Sequence, residues 1–195
     1  MLRIDTHLVS RSLTGRDDEC GDTGLIQLWP SHCLLALVDA LGHGREAAEV
    51  ARQARQYLEN NLTLAPGEMI NGMHECLKGS RGAVASVCQL DLETGSMIYA
   101  GMGNVTTKIL GVQYFSFVNR DGVIGYMMPR PMEAAAELRP GEVLVMLSDG
   151  VSSNFPPADL DYALRDSADF ITSEIMSRYG KKDDDASCLV ARCLR

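Results

Sequence analysis

The sequence predicts an α+β layered domain. Strand-like apolar runs cluster at 2–38 and again at 83–148, instead of alternating one by one with helices. Helical periodicity is confined to 45–60, 66–78 and 157–179. Hydrophobic residues make up 46% of the 195, enough for a full core. Grouped strands and grouped helices fit layers better than a parallel sheet wound with alternating helices. No repeat, low-complexity tract or linker divides the chain, so one domain over 1–195 is expected.

Residues 2–10 alternate loosely and read as an opening strand. Residues 11–24 are polar and rich in Gly and Asp, hence loop. Residues 25–29 and 33–38 read as two strands joined through Pro30, Ser31 and His32. The second is apolar on both faces, as a strand covered on both sides must be. Residues 45–60 carry Ala47, Val50, Ala51, Ala54, Tyr57 and Leu58 at helical spacing. A second helix is expected over 66–78, with Pro66 in its first turn and Gly79 at its end. Strand character returns at 83–90, 96–100, 105–110 and 142–148, with a turn at 91–95. Residues 111–141, broken by Pro and Gly, predict short strands and turns. Residues 157–179 predict a helix with Leu160, Ala163, Leu164, Ala168, Ile171, Ile175 and Met176 as its apolar stripe. Residues 187–194 read as a closing strand.

Charge narrows the function. A net charge of -8 excludes broad binding to nucleic acid or anionic membrane, both of which require Lys and Arg against phosphates. An anionic substrate would need local positive charge, and bound cations are an attractive source. The six cysteines form no C-x-x-C pair, and Cys33, Cys88 and Cys188 sit in apolar strands, so reduced buried thiols are expected. Asp5 and His7 interrupt any signal-peptide core, and the longest apolar run is far too short to span a bilayer. A soluble, cytoplasmic protein is the expectation.

The informative residues are carboxylates at strand ends. Asp39 follows the apolar run 33–38, Asp149 follows 143–148, Asp22 precedes 25–29, and Asp184 precedes 187–194. Any one of them alone reads as a turn former. Four together suit a shared site for hard cations, which prefer oxygen ligands and relieve carboxylate repulsion. Gly42 and Gly44 after Asp39 permit a tight strand-to-helix turn that exposes the Asp39 carboxylate and the Ala40 carbonyl.

These residues stand in motifs: D-A-L-G-H-G-x-x-A-A at 39–48, A-G-M-G-N at 100–104, L-S-D-G-V at 147–151 and D-D-A-S at 184–187. In order and spacing the set resembles the type 2C (PPM) metal-dependent protein phosphatases, within the bacterial branch that contains SpoIIE, RsbU and RsbX. The short length is most similar to the RsbX type. The resemblance implies a type 2C phosphatase-like αββα sandwich, two antiparallel sheets flanked by helices, with two Mn2+ or Mg2+ ions at one end. Asp39 would bridge both ions and the Ala40 carbonyl would bind one. Asp22 would act through the second ion or its waters, and Asp149 and Asp184 would hold the other ion. Hydrolysis would be direct, by a water acidified between the ions, with Asp39 and Asp149 acting through it. The implied substrates are phosphoserine and phosphothreonine on STAS-domain stressosome proteins of the RsbS and RsbR type, which would make the chain a negative feedback regulator of stress signalling. Two alternatives stand beside this: an RsbU- or SpoIIE-like phosphatase of a phosphorylated anti-sigma antagonist, and a non-catalytic phosphatase-like interaction module.

The chain departs from the family in places. Ala40 stands where Gly is common, and His43 lies two positions beyond the family's histidine, which favours a turn role for it. Arg16 is near, but out of register with, a phosphate-binding arginine. Asn104 reads as a turn residue, Asp185 as loop support and Asp183 as solvated charge, while Met127, Met128 and Met132 read as core or flap packing. No Cys-x5-Arg loop or Walker-type loop offers another route to phosphate chemistry.

Overall fold

The computed structural model describes residues 1–111 and 114–194. In chain order the elements are β1 (Ile4–Arg11), β2 (Asp22–Trp29), β3 (His32–Ala40), α1 (Arg45–Asn60), α2 (Pro66–Cys76), β4 (Ala83–Asp91), β5 (Ser96–Met102) and β6 (Thr106–Leu110). β7 (Phe115–Ser116), β8 (Glu133–Glu137), β9 (Val143–Leu147), α3 (Ala168–Tyr179) and β10 (Ala186–Cys193) follow. One sheet runs β1-β10-β9-β6-β7 and the other β2-β3-β4-β5-β8. The pairings between these strands are antiparallel.

Side-chain alternation builds four layers from these elements. In β3, Leu34, Ala36, Val38 and Ala40 pack outward against α1 and α2, while Cys33, Leu35 and Leu37 face the other sheet. That double use explains why the strand is apolar throughout. Leu144 and Met146 of β9 and Leu189 of β10 complete the layer between the sheets. Val143, Val145 and Leu147 turn the other way, onto α3. The result is an αββα sandwich.

The helices form for local reasons. In α1, Ala47, Val50, Ala51, Ala54 and Leu58 are buried on one face, and Arg52–Glu49 and Arg55–Glu59 pair on the other. In α2, Pro66 occupies the first turn and the Glu68 carboxylate accepts a bond from the Ala65 N–H, 3.2 Å.

Three expectations are corrected. The helix expected over 157–179 is a single 3-10 turn at Pro157–Asp159, then irregular turns, then α3 from Ala168. Leu160, Ala163 and Leu164 are buried all the same, so their stripe reported burial and not helix. Ser167 sets the true start: its backbone is extended, and its side chain accepts the Phe170 N–H. Met127 and Met132 do not pack; they are 72% and 65% exposed, and only Met128 joins the core. Asp22 and Asp39 lie inside β2 and β3, not beyond them.

Cys33, Cys88 and Cys188 are buried free thiols, and burial pushes the Cys33 thiol up to about 12. Among the described residues no helix is long and apolar enough to cross a membrane.

Candidate active site

The site begins with strand register. Asp22 lies directly opposite Asp39 across the β2–β3 pair. Two and four residues along, the same face carries Leu37 and Leu35, which fill the layer between the sheets. At this end of the sandwich the apolar alternation therefore gives way to two facing carboxylates. On the other sheet the apolar alternation also ends here: the inward positions Leu144 and Met146 continue to Ser148, and those of β10 begin at Ser187.

The two segments of that second sheet are locked together. The Ser148 N–H donates to the Ser187 carbonyl at 3.1 Å, and the Ser187 N–H donates to Ser148 Oγ at 2.8 Å. Beside them Gly150 passes so close that a Cβ would sit 1.8 Å from the Asp185 carbonyl oxygen. Only glycine lets the loop carrying Asp149 approach the one carrying Asp184.

Asp39, Asp149, Asp183 and Asp184 line one cavity of about 560 Å3, with His43, Asn104 and Asp121 on its walls. Asp22 is not on this lining; it is 5% exposed and takes a bond from Ser148 Oγ at 2.6 Å. Asp149 accepts from Asn104 Nδ2 at 2.9 Å. Asp184 accepts from the Asp185 N–H at 2.9 Å. Asp185 turns away, accepting the Leu13 and Gly21 N–H groups at 2.6 Å each, and so ties down the loop before β2.

Electrostatically the cluster is acidic and partly dry. Burial pushes Asp39 up to about 8, with Asp22, Asp149, Asp184 and Asp185 adding repulsion. Burial pushes Asp22 up to about 6 against the bond from Ser148, and raises Asp184 with help from Asp149. Carboxyl oxygens crowded at the mouth of a cavity suit a hard divalent cation, whose charge would favour their ionised form, so the donor chemistry fits Mg2+ or Mn2+. Among the described residues, though, no group of three or more His, Cys, Asp or Glu side chains is placed to hold a metal ion as it stands.

The other candidates fall as follows. Ala40 sits in extended strand, and no non-glycine residue among those described has positive φ, so alanine needs no strain at the family's glycine position. His43 reaches the cavity wall, one residue before the Gly44 cap of α1. Arg16 does not: it pairs with Asp18 at 3.0 Å and is half-exposed. Asp183, expected as solvated charge, is exposed but lines the cavity. Asn104 is more than a turn residue, because it holds Asp149. Ser148 is a further functional residue, inside the L-S-D-G-V motif but not one of its acids. Its signal is the period of two in Leu144, Met146 and Ser148, which places its hydroxyl inward beside the acids.

An αββα sandwich with strand-end carboxylates facing a cavity is the architecture of the type 2C phosphatase domains. The family model described as "Stage II sporulation protein E (SpoIIE)" matches residues 30–194, and the chain belongs to that family, in the branch with RsbU and RsbX. The phosphoserine phosphatase RsbX of Bacillus subtilis (strain 168) is 24% identical over 136 residues, 68% of each chain. A chain solved in work on the bacterial stressosome, described as a modular system adapted to control secondary messenger signaling, superposes with a TM-score of 0.90. It is 30% identical, and the match covers 97% of this chain and 100% of that one. RsbX in complex with magnesium has the same fold, with a TM-score of 0.87 at 19% identity over 99% of this chain and 100% of that one.

Proposed function

We propose that the chain is a metal-dependent protein serine/threonine phosphatase. Its substrates on this reading are phosphoserine and phosphothreonine on STAS-domain proteins of the RsbS and RsbR type in a cytoplasmic stressosome, which makes it a negative feedback regulator. The observation that carries the reading is the meeting of Asp39, from one sheet, with Asp149 and Asp184, from the other, on one cavity. The likeness to a stressosome chain and to the phosphoserine phosphatase RsbX supports the substrate class.

On this reading Asp39 would hold two divalent cations, Mg2+ or Mn2+. The Ala40 carbonyl and Asp22 would complete one coordination shell, and Asp149 and Asp184 the other. When bound, the cations would supply an acidified water for in-line attack on phosphorus and screen the phosphate charge. The chain's own part is positional. Asn104 fixes the Asp149 carboxylate, Ser148 fixes Asp22, and Asp185 holds the loop that leads into β2. No side-chain nucleophile is required, which agrees with the high pKa and burial of the strand cysteines.

Phosphate release from phosphorylated RsbS-like, RsbR-like and anti-sigma-antagonist proteins, measured side by side, tests the reading. Release from the first two should stop on thorough chelation and return with Mn2+. Asp39→Ala should abolish it while circular dichroism stays native. Turnover that survives chelation would sink the metal mechanism, and preference for the antagonist would move the chain to the RsbU-like role.

A further inference from the structure

A second cavity, of about 520 Å3, lies beside the catalytic one and is lined by Arg120, Arg130, Asn71, Met132, Glu68 and Glu133. The two cavities share a wall. Arg120 faces the second, and its neighbours Asp121 and Val123 face the first.

That wall is fixed. Asn119 donates to the Gly103 and Val105 carbonyls at 3.1 and 2.6 Å and accepts from Tyr99 Oη at 2.5 Å. The Arg120 backbone bonds Gly101 and Gly103, and Ile124 exchanges both its backbone bonds with Ala83. The arginine is thus carried by a rigid segment next to Asn104, the residue that holds Asp149.

The charges in the second cavity are unequally engaged. The Glu133 carboxylate accepts the Gly67 N–H at 2.9 Å, and Glu68 accepts the Ala65 N–H, so both acids serve the start of α2. Most other arginines of this acidic chain face carboxylates, as in Arg45–Glu19, Arg81–Glu46, Arg139–Glu137 and Arg178–Asp159. Among the described residues Arg120 and Arg130 are in no ion pair; Arg120 donates only to the Arg130 carbonyl, 3.2 Å. Two guanidinium groups are thus left with free donors, on a cavity next to a cleft whose own side chains are acidic. Guanidinium forks match carboxylates in geometry as well as charge.

We infer that this second cavity is a substrate subsite that binds an acidic side chain of the phosphoprotein, close in sequence to the phosphorylated residue. The inference rests on the phosphatase reading above. It gives a protein of net charge -8 a means of selecting its substrate by charge without placing a Lys or Arg side chain in the catalytic cleft.

The test uses two synthetic phosphoserine peptides that differ only in glutamate against glutamine at the flanking positions. Steady-state phosphate release with Mn2+ is measured for the wild type, Arg130→Gln and the double variant Arg120→Gln, Arg130→Gln. The wild type should show a KM for the glutamate peptide lower by roughly three- to fivefold, as exposed charge pairs allow. That ratio should fall towards one in the double variant. A ratio of one in the wild type, or a preference that survives in the double variant, overturns the subsite. A second arm follows fluorescence anisotropy of the labelled peptides on Asp39→Ala and on the same protein with both arginines replaced. If the wild type releases phosphate from neither peptide, nor from phosphorylated RsbS-like or RsbR-like protein, the phosphatase reading has failed. The anisotropy arm then still decides the subsite: tighter binding of the glutamate peptide, lost with the arginines, supports it, and equal binding overturns it.

Discussion

Asp39 sits where strand alternation would otherwise put another inter-sheet apolar side chain, and that position governs its protonation. Its carboxyl is pushed up to about 8, from burial first and neighbouring carboxylates second. The unfolded chain loses that proton near pH 4. Between the two values the unfolded state binds fewer protons than the native state, so stability falls as pH rises. The contribution is fully present below about pH 4 and is lost as pH passes through about 8. In chelator, the wild type should therefore be less stable at pH 8 than at pH 5 by a few kcal/mol at most. Asp39→Asn should flatten that slope, as read from urea midpoints across pH. An unchanged slope would mean that Asp39 is ionised in the folded protein throughout. Gly150 makes a second residue-scale case. An alanine Cβ there would meet the Asp185 carbonyl oxygen at 1.8 Å, and backbone cannot yield as a flexible side chain can. Gly150→Ala should cost about 1–3 kcal/mol and displace Asp149 from Asp184, lowering kcat. Stability and kcat both equal to wild type would refute the close approach.

At the scale of elements, legibility followed periodicity. Helix α1 was readable to its ends, because its buried residues keep helical spacing and its other face carries ion pairs. The region before α3 was misread because Leu160, Ala163 and Leu164 are buried in turns that mimic helical spacing. The deciding residue is Ser167, whose capping bond to Phe170 depends on a backbone angle that the residue pattern does not encode. Asp5 of β1 adds a carboxylate that accepts the Ala168 N–H at 2.7 Å, a tertiary contact remote in sequence. Ser167→Ala should lower stability by about 1 kcal/mol, measured by chemical denaturation, with the fold intact. No loss would show that Asp5 suffices to start the helix. The candidate site divides in the same way. Its acids were visible at strand ends, whereas the bonds that Ser148 and Asn104 make to them were not, because those depend on a second segment brought alongside by the sheet.

At the scale of the whole molecule, the two sheets each bring acids to the same end, Asp22 and Asp39 from one and Asp149 and Asp184 from the other. Which strands share a sheet is not written in periodicity; the family resemblance implied two sheets, and their membership and the cross-strand pairing of Asp22 with Asp39 came only with the structure. On the proposed reading, a cation that spans the acids would be a bond between the sheets. A ligand that binds only the folded state stabilises it by mass action, about 2.7 kcal/mol at a hundredfold excess over Kd. For a domain of this size that corresponds to a rise in Tm of about 5–10 °C. Thermal denaturation in chelator and then in increasing Mn2+ or Mg2+ should show such a rise. The rise should shrink in Asp149→Asn and disappear in the double variant Asp39→Asn, Asp149→Asn. These substitutions remove carboxylates from different sheets, so a full rise in the double variant would place the cation elsewhere. A rise that Asp39→Asn abolishes and Asp149→Asn leaves untouched would confine the ion to one sheet, and the sandwich end would no longer be a shared site.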